Sequence, residues 1–231
     1  MSVIEHLEEL RTRLIYIVIG LVLATVLAYI FYNPILDFLL DPVLSKRVPA
    51  VYVSGVVTAF VVRLKVSIFA GFVLALPMTL YQVWRFITPG LEDREKRYAI
   101  PFVLSSVGLF ALGTWFAFLI LPTGIRFLLA FASGPLQPLI FVDQYLSFLM
   151  FMIMAFGITF EFPLLLVFLA LVGVVTSQSL RKRRRHAFFI AFVVGAVATP
   201  SQDPYSMTAM AVPLYVLFEA SILVIRYVMK K

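Results

Sequence analysis

Charges and prolines cut this chain into apolar runs long enough to cross a lipid bilayer, and no other property restricts its fold as much. A helix needs about 17–25 predominantly apolar residues to span hydrocarbon. Inside the bilayer every backbone N–H and C=O must also find its partner within protein, which a helix supplies by itself. The runs at residues 14–32, 58–84, 98–121, 145–175 and 205–225 meet that length. Another, 187–200, is confined between Arg185 and Asp203; at ~1.5 Å per residue its apolar part reaches roughly 20 Å. The run at 205–225 contains Pro213 and Glu219 and follows through a very short turn, so spans five and six read as a tight, short hairpin. The expected fold is all-α: an integral membrane protein of six transmembrane helices forming a single domain over residues 1–231. Composition agrees, since 62% of the residues are hydrophobic and 13% charged, against about 45–50% and about 25% in soluble domains.

Orientation follows from the basic residues, because Lys and Arg in short loops stay cytoplasmic. With the N-terminus inside, the outer segments hold only Lys46, Arg47, Arg63, Lys65 and Arg126 of the 19 Lys and Arg residues, which puts both termini in the cytoplasm. The net charge of +7 is then mainly a topology signal. The run Arg181–Arg185 suits an anchor beside anionic lipid rather than a nucleic-acid site. Two outer loops are rich in proline. Residues 33–57 carry Pro34, Pro42 and Pro49, with an apolar patch at Ile35, Leu36, Phe38, Leu39 and Leu40 that suits a short interfacial helix. Residues 122–143 carry Pro122, Pro135 and Pro138, and the two loops are expected to form a cap bracing the helices. Glu5, Glu8 and Glu9 precede the first span and no small-residue cleavage site follows it, so that span is expected to stay as an anchor.

Glu161 lies in the middle of the fourth run, where an ionisable group costs ~2.5–3.5 kcal/mol on insertion scales and marks a functional site by default. Enzyme chemistry finds no support. The chain has no cysteine, and its only histidines, His6 and His186, lie in different segments at the membrane edges. His6-Leu7-Glu8-Glu9 lacks the second histidine of a zinc-protease helix, and no phosphate-binding Gly-x-x-x-x-Gly-Lys loop occurs. No metal or cofactor is expected, and energy for any transport must come from an ion gradient or a partner.

Recognition remains, and the cytoplasmic carboxylates are its candidates. Residues 5–13 suit a helix along the inner surface before the first span, with Glu9 four positions before Arg13 and so placed for an ordinary intrahelical pair. In the first inner loop Glu92 can pair with Lys96 and Asp93 with Arg97, whereas Glu95 has Leu91 and Ala99 at those offsets and is left available to an outside cation.

Four segments together carry a family resemblance. They are His6-Leu7-Glu8-Glu9-Leu10-Arg11-Thr12-Arg13; Phe86-Ile87-Thr88-Pro89-Gly90-Leu91 followed by Arg94-Glu95-Lys96-Arg97; Phe160-Glu161-Phe162-Pro163; and Thr199-Pro200-Ser201-Gln202-Asp203-Pro204 with Pro213 and Glu219. In this order and on this topology the chain resembles the TatC family, the multispanning core of the twin-arginine protein translocase. The resemblance implies binding of Arg-Arg signal peptides on folded cargo, with Glu9 and Glu95 as the twin-arginine site and Arg11, Phe86, Pro89 and Leu91 nearby. It also implies residence in a bacterial or archaeal cytoplasmic membrane, export driven by the proton gradient, assembly into a larger complex, and TatA- and TatB-type single-span partners. Carboxylates suit the signal chemically, since a guanidinium fork bonds them bidentately and lysine cannot.

Each of these residues also has a structural reading. Pro89 stops a helix and Gly90 permits a turn, so with Pro77 they shape the exit of the second span. Glu161 is either a satisfied buried carboxyl beside the kink at Pro163 or a docking point for a partner within the membrane. Glu219 lies about two turns from Arg226, which suits snorkelling. Asp203 suits a turn cap, and the resemblance adds a possible assembly role for it and Pro200. The rival function is a proton-coupled small-molecule transporter, with Glu161 as the coupling group and Glu219 as a relay.

Overall fold

The structure, a computed structural model, describes residues 3–44, 50–87, 99–131, 139–198 and 203–227. The expectations at Pro89, Gly90, Leu91, Glu95 and Pro200 lie outside the described residues. Within them the chain forms helices α1 (Val3–Ile30), α2 (Tyr32–Leu40), α3 (Thr58–Ile87), α4 (Ala99–Leu129), α5 (Val142–Phe160), α6 (Phe162–Leu171), α7 (Ser177–Lys182), α8 (Arg184–Ala198) and α9 (Pro204–Tyr227). Stretches Ile4–Ile30, Thr58–Phe86, Ile100–Leu129, Val142–Leu171 and Pro204–Tyr227 are long and apolar enough to cross a membrane.

Three expectations need correction. Residues 5–13 are not a separate surface helix: α1 continues without a break from Val3 through the first span. The third run extends past its expected end and through Pro122, to Leu129. The sixth span is not short either. Helix α9 has 24 residues, roughly 36 Å at 1.5 Å per residue. Helix α8, with 15 residues, rises roughly 22 Å and is shorter than the ~30 Å hydrocarbon core.

The helices group into two compact units, one of residues 1–107 and 140–146 and the other of 108–139 and 147–231. In the first, α1 and α3 touch backbone to backbone because Gly71 has no side chain: a Cβ there would lie 2.6 Å from Thr25 Cα. Only 6% of the most apolar window of α1 is buried, so most of its Leu, Ile and Val side chains are left for lipid. The Arg63 guanidinium sits over the rings of Tyr29 (4.4 Å) and Tyr32 (5.1 Å), a cation–π arrangement that offsets the cost of placing a charge in this apolar helix. Burial raises the Tyr32 hydroxyl above its ordinary pKa, and the Arg63 charge partly opposes that rise. A helix, α2, forms over the apolar patch as expected, with Leu39 and Leu40 buried. Tyr145 pins it, donating from its buried hydroxyl to the Leu39 carbonyl at 2.9 Å. The two outer loops meet where Tyr52 N–H donates to the Ile140 carbonyl and Val142 N–H to the Tyr52 carbonyl, both at 2.9 Å.

In the second unit α4 and α5 approach closely through paired glycines. A Cβ on Gly113 would meet the Phe156 carbonyl oxygen at 2.6 Å, and Gly157 lies against the Phe110 ring. The fourth span is interrupted at Glu161, whose N–H reaches back only to Ile158 O (3.1 Å). Pro163 in the first turn of α6 explains the break, since it has no N–H for the Thr159 carbonyl. Gly173, at φ 84°, closes α6 in the left-handed conformation, with Val174 N–H bonded to Leu169 O (2.9 Å). Thr176 caps α7 by accepting from Ser179 N–H. Leu166, Ala170, Leu180, Phe218, Ile222 and Ile225 form a core that joins α6 and α7 to α9. Asp203 caps α9 as expected, accepting from Ser206 N–H at 2.8 Å.

Candidate functional site

Each unit carries a polar site. In the first, the opening turns of α1 lie beside the closing turns of α3, an arrangement set by the glycine contact between these helices. Glu9 Oε1 accepts from Arg13 Nη2 at 3.0 Å, the intrahelical pair expected from their spacing. Arg13 Nη1 also reaches Gln82 Oε1 on α3, at 3.5 Å. The second carboxylate oxygen, Glu9 Oε2, is buried and has no hydrogen-bond partner among the described residues. It borders a pocket of about 410 Å³ lined by Glu9, Thr12, Arg13, Tyr16, Gln82 and Arg85. A buried acceptor without a donor is costly, on the order of 1–3 kcal/mol, so this oxygen favours an incoming donor. Beside it the His6 and Phe86 rings stack, with centroids 4.4 Å apart.

Arg11 does not join this site. Two residues from Glu9 on a helix, it faces the other side of α1 and lines a separate apolar depression with Leu7, Leu10 and Leu14. Pro77 lies inside α3 and is not among the residues that line the pocket. Gln82 and Arg85 were not singled out from sequence. Their apolar neighbours mask them, and only the register of α3 against α1 brings Gln82 to Arg13.

In the second unit Glu161 lines a larger cavity of about 1010 Å³ between α6, α7, α8 and α9. Its walls are mainly apolar, with Thr159, Arg183 and His186 as further polar members. Pro163 is buried beside Glu161. Glu219 is not part of that lining. Its carboxylate accepts from Arg184 Nη2 at 2.6 Å and from the Tyr215 hydroxyl at 3.2 Å, so α8 is clasped to α9. Arg226, two turns further on, lies over the Tyr227 ring at 5.2 Å. Arg184 was missed because it belongs to a five-residue basic run that reads as a topology signal in sequence. Among the described residues no group of three or more His, Asp or Glu side chains could hold a metal.

Membrane-length helices, a carboxylate with an open oxygen beside a cationic pocket, and a second carboxylate facing an apolar cavity define a multi-pass membrane protein arranged for recognition. Comparison with known proteins gives the class a family. The family model of the Sec-independent protein translocase protein TatC matches residues 5–213. The TatC of Carboxydothermus hydrogenoformans is 34% identical over 100% of this chain and 95% of its own length, and that of Aquifex aeolicus 40% identical over 96% and 93%. The Frankia casuarinae protein is 40% identical over 97% of this chain, which covers 65% of that longer relative. A crystal structure of the twin-arginine translocase receptor TatC in DDM superposes with a TM-score of 0.81 at 37% identity, covering 95% of this chain and 99% of that one. A second TatC crystal structure gives 0.78 at 38% identity, covering 97% and 99%.

The chain belongs to the TatC family. It is a multi-pass membrane component of a protein translocase and not an enzyme. Membership in a translocase family removes the ground for the small-molecule transporter reading.

Proposed function

We propose that this protein is the membrane core of a twin-arginine translocase and binds Arg-Arg signal peptides at its cytoplasmic face, with Glu9 and Glu95 as the arginine acceptors. The observation that carries this reading is Glu9 Oε2, a buried carboxylate oxygen with no donor among the described residues, opening into a pocket that a guanidinium can enter. Arg13 occupies the other oxygen and braces the carboxylate against Gln82, so the open oxygen is held in a fixed direction. Arg85 on the pocket wall disfavours a loosely placed cation and favours a guanidinium whose N–H is aimed at the one open oxygen. Phe86, Pro89 and Leu91 are assigned to signal-peptide binding with Glu9 and Glu95, and so is Arg11, which lies outside this pocket.

The wider reading has six transmembrane helices with both termini cytoplasmic, α8 as a short fifth span, and the outer loops as a cap. The protein sits in a bacterial or archaeal cytoplasmic membrane, where it assembles with TatA- and TatB-type partners and further copies of itself and exports folded cargo on the proton gradient. Glu161 and Glu219 mark the face that meets a partner within the membrane. Pro77, Gly90, Pro163, Pro200 and Asp203 keep the helix ends and kinks in the shape that assembly needs.

Fluorescence anisotropy with a labelled Arg-Arg signal peptide and its Lys-Lys counterpart tests the site on the full chain. Arg-Arg binding should exceed Lys-Lys binding, and Glu9→Gln or Glu95→Gln should weaken it about tenfold, the loss of one charge-assisted bond near 1.4 kcal/mol. Equal binding of both peptides by all three proteins would overturn the assignment.

A further inference from the structure

The cavity of the second unit has a shape and charge that signal-peptide recognition does not use. Arg183 stands at one end, and along α8 the lining continues through His186, Ala187, Ile190, Ala191 and Val194. These positions follow steps of three and four residues, so they lie on one face of the helix. From Arg183 to Val194 the rise is roughly 16 Å at 1.5 Å per residue, about half of the ~30 Å hydrocarbon core. The cavity therefore has the depth of one leaflet. Phe162, Leu165 and Ile190 on its walls are exposed, so it opens toward lipid.

The basic run at the mouth divides by role. Arg184 is committed to Glu219. Arg183 has no ion pair among the described residues and lines the cavity together with the His186 ring. A cationic mouth over an apolar slot one leaflet deep is complementary to a molecule with an anionic head and a hydrocarbon tail, and basic pockets between membrane helices on the cytoplasmic side recognise such head groups.

We propose that this cavity binds an anionic phospholipid, with its phosphate held by Arg183 and His186 and an acyl chain lying along α8 as far as Val194. The proposal rests on the second unit alone and stands or falls independently of Arg-Arg recognition by Glu9. The lipid fills the slot beside the short α8 and holds α8 against α6 and α9 at the level of the head groups. Glu161, on the same cavity, contributes no bond to the phosphate.

Native mass spectrometry of the full-length protein in neutral detergent, titrated with phosphatidylglycerol or with phosphatidylcholine of the same acyl chains, tests it. Phosphatidylglycerol should be retained in preference. The Arg183→Gln/His186→Gln variant should lose about fivefold in retention, the effect of roughly one basic residue near an anionic head group. Arg181→Gln/Arg185→Gln removes charge from the same run outside the cavity and should leave retention unchanged. Ile190→Trp, a filling substitution at an exposed position that the fold can accept, should weaken retention with the mouth intact. Equal retention of the two lipids, an equal loss in the Arg181/Arg185 variant, or full retention by Ile190→Trp would each overturn the proposal. So would a cavity that retains a hydrophobic single-span peptide, lost on Glu161→Gln, and retains no phosphatidylglycerol when that peptide is absent.

Discussion

The clasp between α8 and α9 offers a perturbation whose size can be worked from the structure. Arg184 Nη2 meets Glu219 Oε2 at 2.6 Å, and the Tyr215 hydroxyl donates to the other carboxylate oxygen at 3.2 Å. The two charged side chains are 43% and 28% exposed, so neither is fully desolvated by protein. An exposed pair in water contributes ~0–1 kcal/mol, and removing one partner of a deeply buried pair costs about 3–5 kcal/mol. Hydrogen bonds between membrane helices average ~0.6 kcal/mol and reach ~1.7. A short, charge-assisted bond at intermediate exposure belongs near the top of that membrane range, so a coupling energy of about 1–1.5 kcal/mol is expected. The double-mutant cycle of Arg184→Gln, Glu219→Gln and the double variant measures it by SDS-driven unfolding in mixed micelles. Arg184→Gln should be the more damaging single change, because it leaves the Glu219 charge with the Tyr215 hydroxyl as its remaining partner. Glu219→Gln keeps one acceptor oxygen for the Arg184 guanidinium, and its amide N–H can donate to the Tyr215 hydroxyl. A coupling energy indistinguishable from zero would refute the reasoning and return Glu219 to the class of surface charges.

Three further outcomes follow from the packing. Gly195→Ala should destabilise by about 1–3 kcal/mol, since the new Cβ would lie 2.7 Å from the Met207 backbone oxygen; Gly108→Ala, which meets nothing within 4 Å, should be neutral or stabilise by up to about 1 kcal/mol, and equal effects in thermal unfolding would contradict the helix contact. Tyr145→Phe deletes the bond to Leu39 and should cost about 1 kcal/mol, read as faster hydrogen exchange in α2; unchanged exchange there would show that Tyr145 does not pin it. Spin labels at Phe189, Val193 and Val197 on α8 should report a hydrocarbon layer thinner than bulk, because 15 residues span roughly 22 Å of a ~30 Å core; a bulk-like depth profile would count against local thinning.

Most of the helical framework was legible because charges are excluded from hydrocarbon and so mark the ends of membrane-length segments. The patch from Ile35 to Leu40 announced α2, and the Glu9–Arg13 spacing announced their ion pair. What failed shares one cause: a pattern read along the chain is blind to neighbours across it. Residues 5–13 looked like a surface helix because their polarity differs from the span that follows, yet helical hydrogen bonding continues straight through that change. Glu219 was read as a snorkelling carboxylate two turns from Arg226, whereas its cation, Arg184, is supplied by the helix packed alongside. Gln82 was invisible for the same reason, as its meaning comes only from the Arg13 guanidinium on α1. Pro122 was read as opening a loop and Pro163 as lying within the fourth span, and the structure reverses both. The first sits within a continuous helix; the second coincides with the interruption at Glu161.

Charged groups in these helices divide into those engaged by the fold and those facing open space, and the division predicts which substitutions should separate stability from function. Arg63 is held by two tyrosine rings and the Ser67 hydroxyl donates to its carbonyl; Glu219 is held by Arg184 and Tyr215. Changing either alters helix packing first, and transport only through it. Glu9 and Arg183 are different. One has a buried oxygen without a donor among the described residues, and the other stands at the mouth of an apolar slot. A fold that leaves the buried Glu9 oxygen open forgoes the stability of pairing it, and the return is available only when a donor arrives. The two open groups occur in different units and present opposite charge, so the proposed peptide site at α1 and α3 and the proposed lipid site at α8 use different atoms.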